Sequence, residues 1–410
     1  MSLTVRILIA LLLGLGLGIA LTEWGGAWEG DVVALAQPVG SAWLNGLQMP
    51  LIPLIFALLV TGIAQAATTA RSSGMAGRAI LLFALLLTAS AAVAALVGPL
   101  MLRLWPVPPG AVGALSGAEG IAQVPDVRPS AQWLLGFIPT NPIRSAAEGQ
   151  VVAVVLFALI FGFAVTRIAE ARRAQLTSLF EALAEALLVV VGWVLWLAPI
   201  GVFALALVAG ARSGLATAGA LLHYIGFIVL ICVIVTLLVY PLAVLLGRIG
   251  PGRFARAALP AQAIAFSTQS SIASLPAMIQ ASDGPLAVRE TSRSIVLPLA
   301  ISLFRITSPP ANLGVALYVA AMNGVALGPT QLVMGVLVAA IVSLAAVGLP
   351  SQITFFTTTG PICLAMGVPV EALPLLLAVE TVPDIFRTVG NVTADMAVAR
   401  IVDQQGEVGE

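Results

Sequence analysis

Long apolar runs fix the solvent in which this chain can fold. Stretches at roughly 5–22, 42–66, 78–102, 151–169, 184–209, 220–247, 294–323, 331–367 and 372–402 are dominated by Leu, Val, Ile, Ala and Phe, and an interrupted one covers 254–282. Crossing about 30 Å of hydrocarbon takes about 20 helical residues, so most of these runs are long enough to span. Strands of a membrane barrel would alternate in short segments instead. Of the 410 residues 60% are hydrophobic and 9% charged, whereas a soluble domain carries about 25% charged residues. The class this implies is an all-α polytopic membrane protein. Ile7 to Leu21 has the look of a signal peptide but lacks a convincing cleavage site and is followed by further spans, so it reads as a first transmembrane helix.

Charge gives sidedness and excludes partners. The 18 basic residues, all Arg, balance 18 acidic ones, and without a basic stripe a nucleic-acid partner is not expected. The 23–31 segment carries only Glu23, Glu29 and Asp31 and reads as an outside loop. Arg71 and Arg78, then Arg167, Arg172 and Arg173, then Arg248, Arg253 and Arg256 follow alternate spans, and Arg400 lies near the C-terminus. That alternation places both termini in the cytoplasm. The 103–150 segment, rich in Pro and Gly, reads as an external loop ending in an interfacial stretch from Trp133 to Ile143. Cys232 and Cys363 sit in apolar runs and read as small core residues. A single His223 leaves no basis for a histidine metal site or a catalytic triad. With no base beside Ser270, an enzyme using Asp384, Glu380 and Ser270 is not expected.

Two apolar segments are broken by small polar residues. One carries Ser267, Thr268, Gln269, Ser270, Ser271 and Ser274; the other carries Gly348, Pro350, Ser351, Gln352, Thr354, Thr357, Thr358, Thr359 and Gly360. Each is long enough for two half-depth helices and a polar tip. Irregular backbone survives at membrane depth only where protein or a watery cavity covers it, so the pair points to a substrate site between re-entrant hairpins. Two ordinary helices whose Ser and Thr bond back to their own carbonyls are the alternative.

The densest polar pattern lies near the C-terminal end. From Glu380 the offsets to Asp384, Arg387, Thr388, Asn391 and Asp395 are 4, 7, 8, 11 and 15, which fall within roughly a 100° arc of one helix. A charge at the bilayer centre costs at least about 2.5–3.5 kcal/mol, so this stripe must meet a cavity or partner groups. Asp384 and Arg387 are spaced for a structural ion pair, which leaves Glu380, Asn391 and Asp395 to be explained by a ligand or ion. Arg305, with Pro309 and Pro310 just after it, marks an unwound stretch carrying a cation. It either holds ions or anionic substrate, or pairs with a carboxylate of the last helix.

These strings together resemble the dicarboxylate/amino acid:cation symporters, the family of glutamate and aspartate transporters. Met49-Pro-Leu-Ile-Pro53-Leu-Ile-Phe56, then Gly62, is similar to that family's second helix. Phe137-Ile-Pro-Thr-Asn-Pro142 and Ala198-Pro-Ile-Gly-Val-Phe203 are similar to two further strings, and Ala265 to Pro276 to the serine-rich tip of its first hairpin. Val296-Leu-Pro-Leu299 resembles the opening of its seventh helix, and Asp384, Arg387, Thr388, Asn391 and Asp395 match its eighth. The resemblance implies eight transmembrane helices plus two re-entrant helical hairpins in an elevator-type fold, in a bacterial inner membrane, as a homotrimer. It implies scaffold helices 1 and 2 at 1–76, transport helix 3 at 77–105, and an external loop with scaffold helices 4 and 5 at 106–212. A transport domain follows at 213–410, with hairpin 1 at about 254–282, hairpin 2 at about 331–367 and helix 8 at about 372–402. Close helix approach in the scaffold would use Gly62, Ala64, Ala66, Gly162 and Ala164.

By the same resemblance Asp384 holds a substrate ammonium and Arg387 a side-chain carboxylate through a bidentate fork. Thr388, Asn391, Ser270 and Ser271 complete the substrate contacts, and Asp395 ligates sodium with Asn391, Ser302 and backbone carbonyls. The implied function is secondary active transport of a small anionic or zwitterionic substrate, such as aspartate or glutamate, with a C4-dicarboxylate held by Arg387 and Arg305 as the alternative. The departures bear on coupling. Where the family carries Asn-Met-Asp-Gly-Thr this chain reads Phe304-Arg305-Ile306-Thr307-Ser308, and a register using Asn312 to Tyr318 would need an insertion. Gln269 stands where many prokaryotic members have Arg, Ser351 and Ile353 replace glycines, and Leu85 and Ala89 stand where Tyr and Ser are frequent. Arg305 brings a permanent positive charge to the sodium region. The expectation is therefore that at least one sodium site is lost and that Arg305 is a tethered substitute cation. Either Asp395 with Asn391 and backbone carbonyls keeps one sodium site, or Glu380 or Asp395 carries a proton, making the protein proton-coupled or a sodium-independent exchanger.

Overall fold

The computed structural model describes residues 3–24, 26–72, 74–108, 138–345 and 351–407, and every regular element among them is helical. The helices are α1 (Leu3–Trp24), α2 (Glu29–Gln48), α3 (Leu51–Ser72), α4 (Gly74–Leu104), α5 (Pro142–Ala147), α6 (Val151–Val165), α7 (Glu170–Trp196) and α8 (Ala198–Ser213). They continue as α9 (Leu215–Leu245), α10 (Pro251–Thr268), α11 (Ser271–Asp283), α12 (Glu290–Leu303), α13 (Ser308–Met322), α14 (Pro329–Ala345), α15 (Ser351–Ala365), α16 (Leu373–Val379) and α17 (Thr381–Glu407). Among the described residues, six helical stretches are long and apolar enough to cross a membrane: Val5–Thr22, Glu29–Thr69, Gly74–Leu104, Glu170–Trp196, Leu215–Leu245 and Glu290–Met322.

Local chemistry sets the boundaries. Prolines open α5, α10 and α13, at positions where the missing amide hydrogen is no loss. Asn141 caps α5 by accepting from Ile143 and Arg144 N–H, and Gly214 turns out of α8 with φ +56°. Several expected runs are subdivided. The second begins as α2, whose first turn contains Glu29 and Asp31; these carboxylates complement the positive helix end and are not loop residues. Met49 and Pro50 then separate α2 from α3. Most of the expected external loop, including residues 133–137 of the expected Trp133 to Ile143 stretch, lies outside the described residues.

The helices pack as two groups. In the first, α8 lies along α1 and α2, while α3 packs on α6 and α7; in the second, α4, α9–α12, α14 and α15 surround α17 and α13. Helix α3 joins the two by packing on α4, α14 and α15 as well. The tightest seam joins α1 to α8. A Cβ at Gly14 would sit 2.5 Å from Phe203 O, one at Gly210 would sit 2.6 Å from Leu15 O, and Gly18 is pressed as closely on Leu207 O. Backbones at this distance need glycine, the small-residue packing that membrane helices use in place of a hydrophobic drive. Trp43 lies flat on Gly201, and its indole N–H donates to Val194 O at 2.8 Å. Gly162, a candidate for approach between copies, is used within the chain by Ile63, whose Cδ1 a Cβ would meet at 2.8 Å. Gly62 likewise lines a partly open apolar cavity of about 320 Å³ between the two groups.

In the second group one helical run is interrupted where the sequence requires it. The backbone leaves helical geometry between Leu303 and Ser308, with Phe304 extended (φ −109°, ψ 95°) and its ring stacked 4.8 Å from Phe83 of α4. At the opposite end, α12 is tied to α17 by charge. Buried Asp403 accepts from Arg289 Nε at 2.8 Å and Ser292 Oγ at 2.7 Å, and Arg400 approaches its other oxygen at 3.5 Å. His223 is a core residue between Trp105 O and Tyr318 Oη, each at 3.2 Å. Cys232 and Cys363 are free and buried, as the apolar context of each implies.

Candidate functional site

The site is built on α17 and the α12–α13 break. Gly390 makes the approach feasible: a Cβ there would lie 2.5 Å from Thr236 Oγ1 and closer still to Thr307 Cγ2. Into that gap comes Thr307, whose backbone N–H and hydroxyl both donate to Asn391 Oδ1, at 3.0 and 2.7 Å, while the hydroxyl also lies 2.8 Å from Arg387 O. An interrupted helix leaves backbone groups without partners, and here side chains of α17 satisfy one of them. The expected unwinding at Arg305 is therefore present, and Asn391 holds it in place.

Arg387 is nearly enclosed, with 6% exposure, and Glu380 with 5%. Glu380 stands in the turn between α16 and α17, two turns before Arg387, and its Oε1 lies 2.7 Å from Arg387 Nη2. That pair is ionic and lies off the line of a directed hydrogen bond. Glu380 Oε2 accepts from Tyr224 Oη at 2.7 Å. On the other side Arg387 Nη1 donates to Asn312 Oδ1 at 2.8 Å, and Asn312 Nδ2 donates to Thr358 Oγ1 at 2.8 Å. Arg387 Nε is buried with no partner. A buried donor without an acceptor costs about 1–3 kcal/mol, so an open Nε beside a shared Nη2 is an edge suited to an incoming carboxylate. Arg387 thus pairs with Glu380, and Asp384 also acts on the guanidinium.

Three more charges complete the electrostatics. Arg305, half-buried at the break, is under the field of Asp384 and Asp395. Asp395 is fully buried, and neither carboxylate oxygen has a hydrogen-bond partner. An orphaned buried carboxyl either meets a cation or takes up a proton, so its chemistry fits a small hard ion, the neighbouring guanidinium or a proton. The rest of the expected sodium set fits less well. Asn391 Oδ1 already accepts twice from Thr307, and Ser302 is exposed, its hydroxyl donating to Pro298 O in its own helix. Among the described residues there is no cluster of three His, Cys, Asp or Glu groups able to hold a metal.

The remaining expected contacts are locally engaged. Thr388 donates to Asp384 O at 2.8 Å. Ser270 caps α11 by accepting from Ala273 N–H at 3.2 Å, after Gln269 turns the chain through a left-handed conformation (φ 54°). Ser271 opens α11. The two helices so joined pack against each other and against α17, where Phe266 meets Phe386 edge-on and Gln262 donates to Thr393 at 2.8 Å. The polar tip between α14 and α15, Gly348 and Pro350 included, lies outside the described residues, as do the side chains of Ser351 and Gln352.

Sequence reasoning gave Glu380 a place on the polar stripe but no partner, and it missed Tyr224, Thr307 and Thr358 as site residues. Tyr224 is one aromatic in an apolar span and gives no signal of its own. Asn312 was noticed only as part of a rival register, and its polarity within an all-apolar turn was the available clue.

Sequence comparison with known proteins matches the sodium:dicarboxylate symporter family over residues 3–405. The proton/glutamate-aspartate symporter of Escherichia coli (strain K12) is 25% identical, with 97% of this chain and 92% of that protein aligned. The neutral amino acid transporter B(0) of Oryctolagus cuniculus is 28% identical over 94% of this chain and 77% of that protein. C4-dicarboxylate transport protein 2 of Polaromonas naphthalenivorans (strain CJ2) is 27% identical over 97% and 88%. A match of that extent, on an apolar fold whose regular elements among the described residues are helical and whose buried charges there gather at one helix, describes a multi-pass membrane transporter and not an enzyme. The chain belongs to the sodium:dicarboxylate symporter family.

Proposed function

We propose that this protein is a secondary active transporter that moves an acidic amino acid, aspartate or glutamate, across a bacterial inner membrane with sodium or protons. One observation carries the reading: Arg387 is buried with Nε open, and Asp384 lies one turn earlier on the same helix. A guanidinium edge suits a side-chain carboxylate, and a carboxylate suits the ammonium of an α-amino acid. The related Escherichia coli glutamate-aspartate symporter supports the same substrate class. Radiolabelled aspartate uptake into proteoliposomes tests it. Accumulation of a neutral amino acid with no binding of any acidic one would refute it.

A second reading has its own support. Asp384 acts on both Arg305 and Arg387, so two cations neighbour one carboxylate and could each take one end of a C4-dicarboxylate, and a C4-dicarboxylate transporter is among the relatives. Succinate competing as well as aspartate, with the Asp384→Asn variant unimpaired, would favour it, because only an ammonium needs that anion.

The finer architecture belongs to the same proposal: eight crossings and two re-entrant hairpins, α10–α11 and α14–α15. The first packing group forms a scaffold through which three copies associate, and the second forms the moving unit. The packing of α8 along α1 and α2, and of α4 and α9 with the later helices around α13 and α17, supports this division. Arg305 substitutes for one sodium ion, and Asp395 is the acceptor of any cation that remains. Native mass spectrometry showing only monomers would count against the trimer.

A further inference from the structure

An acidic substrate must dock on Arg387, yet that guanidinium already faces a carboxylate of the protein. We propose that Glu380 is the proton acceptor that couples transport: it holds Arg387 as a built-in counter-carboxylate and takes a proton when a substrate carboxylate displaces it. This rests on the acidic-substrate reading above.

The geometry assigns each atom a part. Arg387 Nη1 is committed to Asn312, and Nε has no partner. The edge able to take a carboxylate with two parallel bonds is therefore Nε with Nη2, and Glu380 Oε1 lies 2.7 Å from Nη2. Substrate and Glu380 compete for one nitrogen. With both ionised, two anions would share one cation in a nearly enclosed site, where charge is weakly screened. Protonating Glu380 removes the conflict, because one carboxylate replaces another and the charge around Arg387 stays constant. The proton arrives from the aqueous phase on the side of substrate entry, forms an O–H bond at Oε1, and leaves after the substrate does. Oε1 is the available oxygen, since Oε2 already accepts from Tyr224 at 2.7 Å. That bond serves both protonation states, so Tyr224 holds the carboxyl while Oε1 gives up Nη2.

The surroundings single out Glu380. The charged and titratable groups acting on it are Tyr224 and Cys232 from α9 and Asp384 and Arg387 from α17. Near Arg387, α13 contributes the neutral Asn312, which is held by Thr358 of α15. The preceding helix, Leu373–Val379, is aliphatic. Asp395 answers to Arg305 instead.

The test is calorimetric titration of aspartate into the full-length protein in nanodiscs, at fixed sodium, between about pH 6 and about pH 8, where aspartate itself does not change charge. Where Glu380 is ionised in the free protein, wild-type Kd should rise about tenfold per pH unit, with about one proton taken up per aspartate. Proton uptake is read from buffers of different ionisation enthalpy. E380Q should bind aspartate with no pH slope and no proton uptake. A flat wild-type profile with no proton uptake overturns the proposal while leaving the acidic substrate intact, and needs no variant. A slope that persists in E380Q, or that vanishes in H223Q, overturns it in favour of another group. Absence of aspartate and succinate binding at every pH refutes the substrate reading itself, and this inference with it.

Discussion

Replacing Arg387 with Met keeps the apolar stem and deletes the charge. Glu380 then loses its counter-ion, and Asn312 Oδ1 loses its donor. The first loss has a ceiling, because a buried carboxylate without a partner takes up a proton instead of staying charged. Protonating a glutamate of ordinary pKa, about 4.3, at a pH of about 7 costs about 1.36 kcal/mol for each of about 2.7 units, or about 3.7 kcal/mol. The orphaned Asn312 acceptor adds about 1–2 kcal/mol. A total of about 5 kcal/mol sits at the upper end of the cost of breaking a buried ion pair. Adding Glu380→Gln should recover most of the first part, because Gln needs no proton and still accepts from Tyr224. Unfolding of detergent-solubilised protein, followed by tryptophan fluorescence, would read both variants. The single variant's deficit should deepen with rising pH by up to about 1.4 kcal/mol per unit, since its folded form holds a proton that the unfolded chain releases. The double variant should show no such slope. A pH-independent deficit, or equal deficits in the two variants, would refute the reasoning.

Asn312→Leu removes both the acceptor that fixes Arg387 Nη1 and the donor to Thr358, and should weaken acidic-substrate binding about tenfold, or about 1.4 kcal/mol, by titration. Asp403→Asn leaves Arg289 and Arg400 without their carboxylate; with Arg289 partly exposed, a loss of about 1–3 kcal/mol in unfolding free energy is expected, with substrate Kd unchanged. Arg305→Met deletes the tethered cation beside Asp384 and Asp395, so uptake should become more steeply dependent on sodium, read from initial rates against a sodium gradient. An unchanged sodium dependence would dismiss the substitute-cation role.

Much of this architecture was legible because hydrocarbon is a severe solvent. Apolar runs had to be helices, and a stripe from Glu380 to Asp395 could not face lipid, so both were readable from spacing alone. Pro309 and Pro310 likewise announced the break beside Arg305, although they proved to open α13 and not to lie within a helix. Pairing was the hidden part. Helical spacing favours Asp384 as the partner of Arg387, yet the guanidinium reaches two turns back to Glu380, because Tyr224 of α9 orients that carboxylate from a distant part of the chain. Asn391 read as an ion ligand because its amide oxygen is a hard donor, but Thr307 occupies that oxygen through a gap that only Gly390 leaves. No local pattern encodes a contact between residues 80 or more positions apart.

The backbone seam between α1 and α8 has a consequence for how this sequence can drift. At Gly14, Gly18 and Gly210 the space beyond each Cα is already filled by the opposite chain, so every other residue type adds atoms where there is no room. On the same helix, Leu12, Leu13 and Leu17 are 61%, 57% and 50% exposed and meet nothing within the chain that specifies their shape. A saturation library selected for function should therefore return glycine alone on one side of α1 and a free exchange of aliphatic residues on the other, alternating within a single turn.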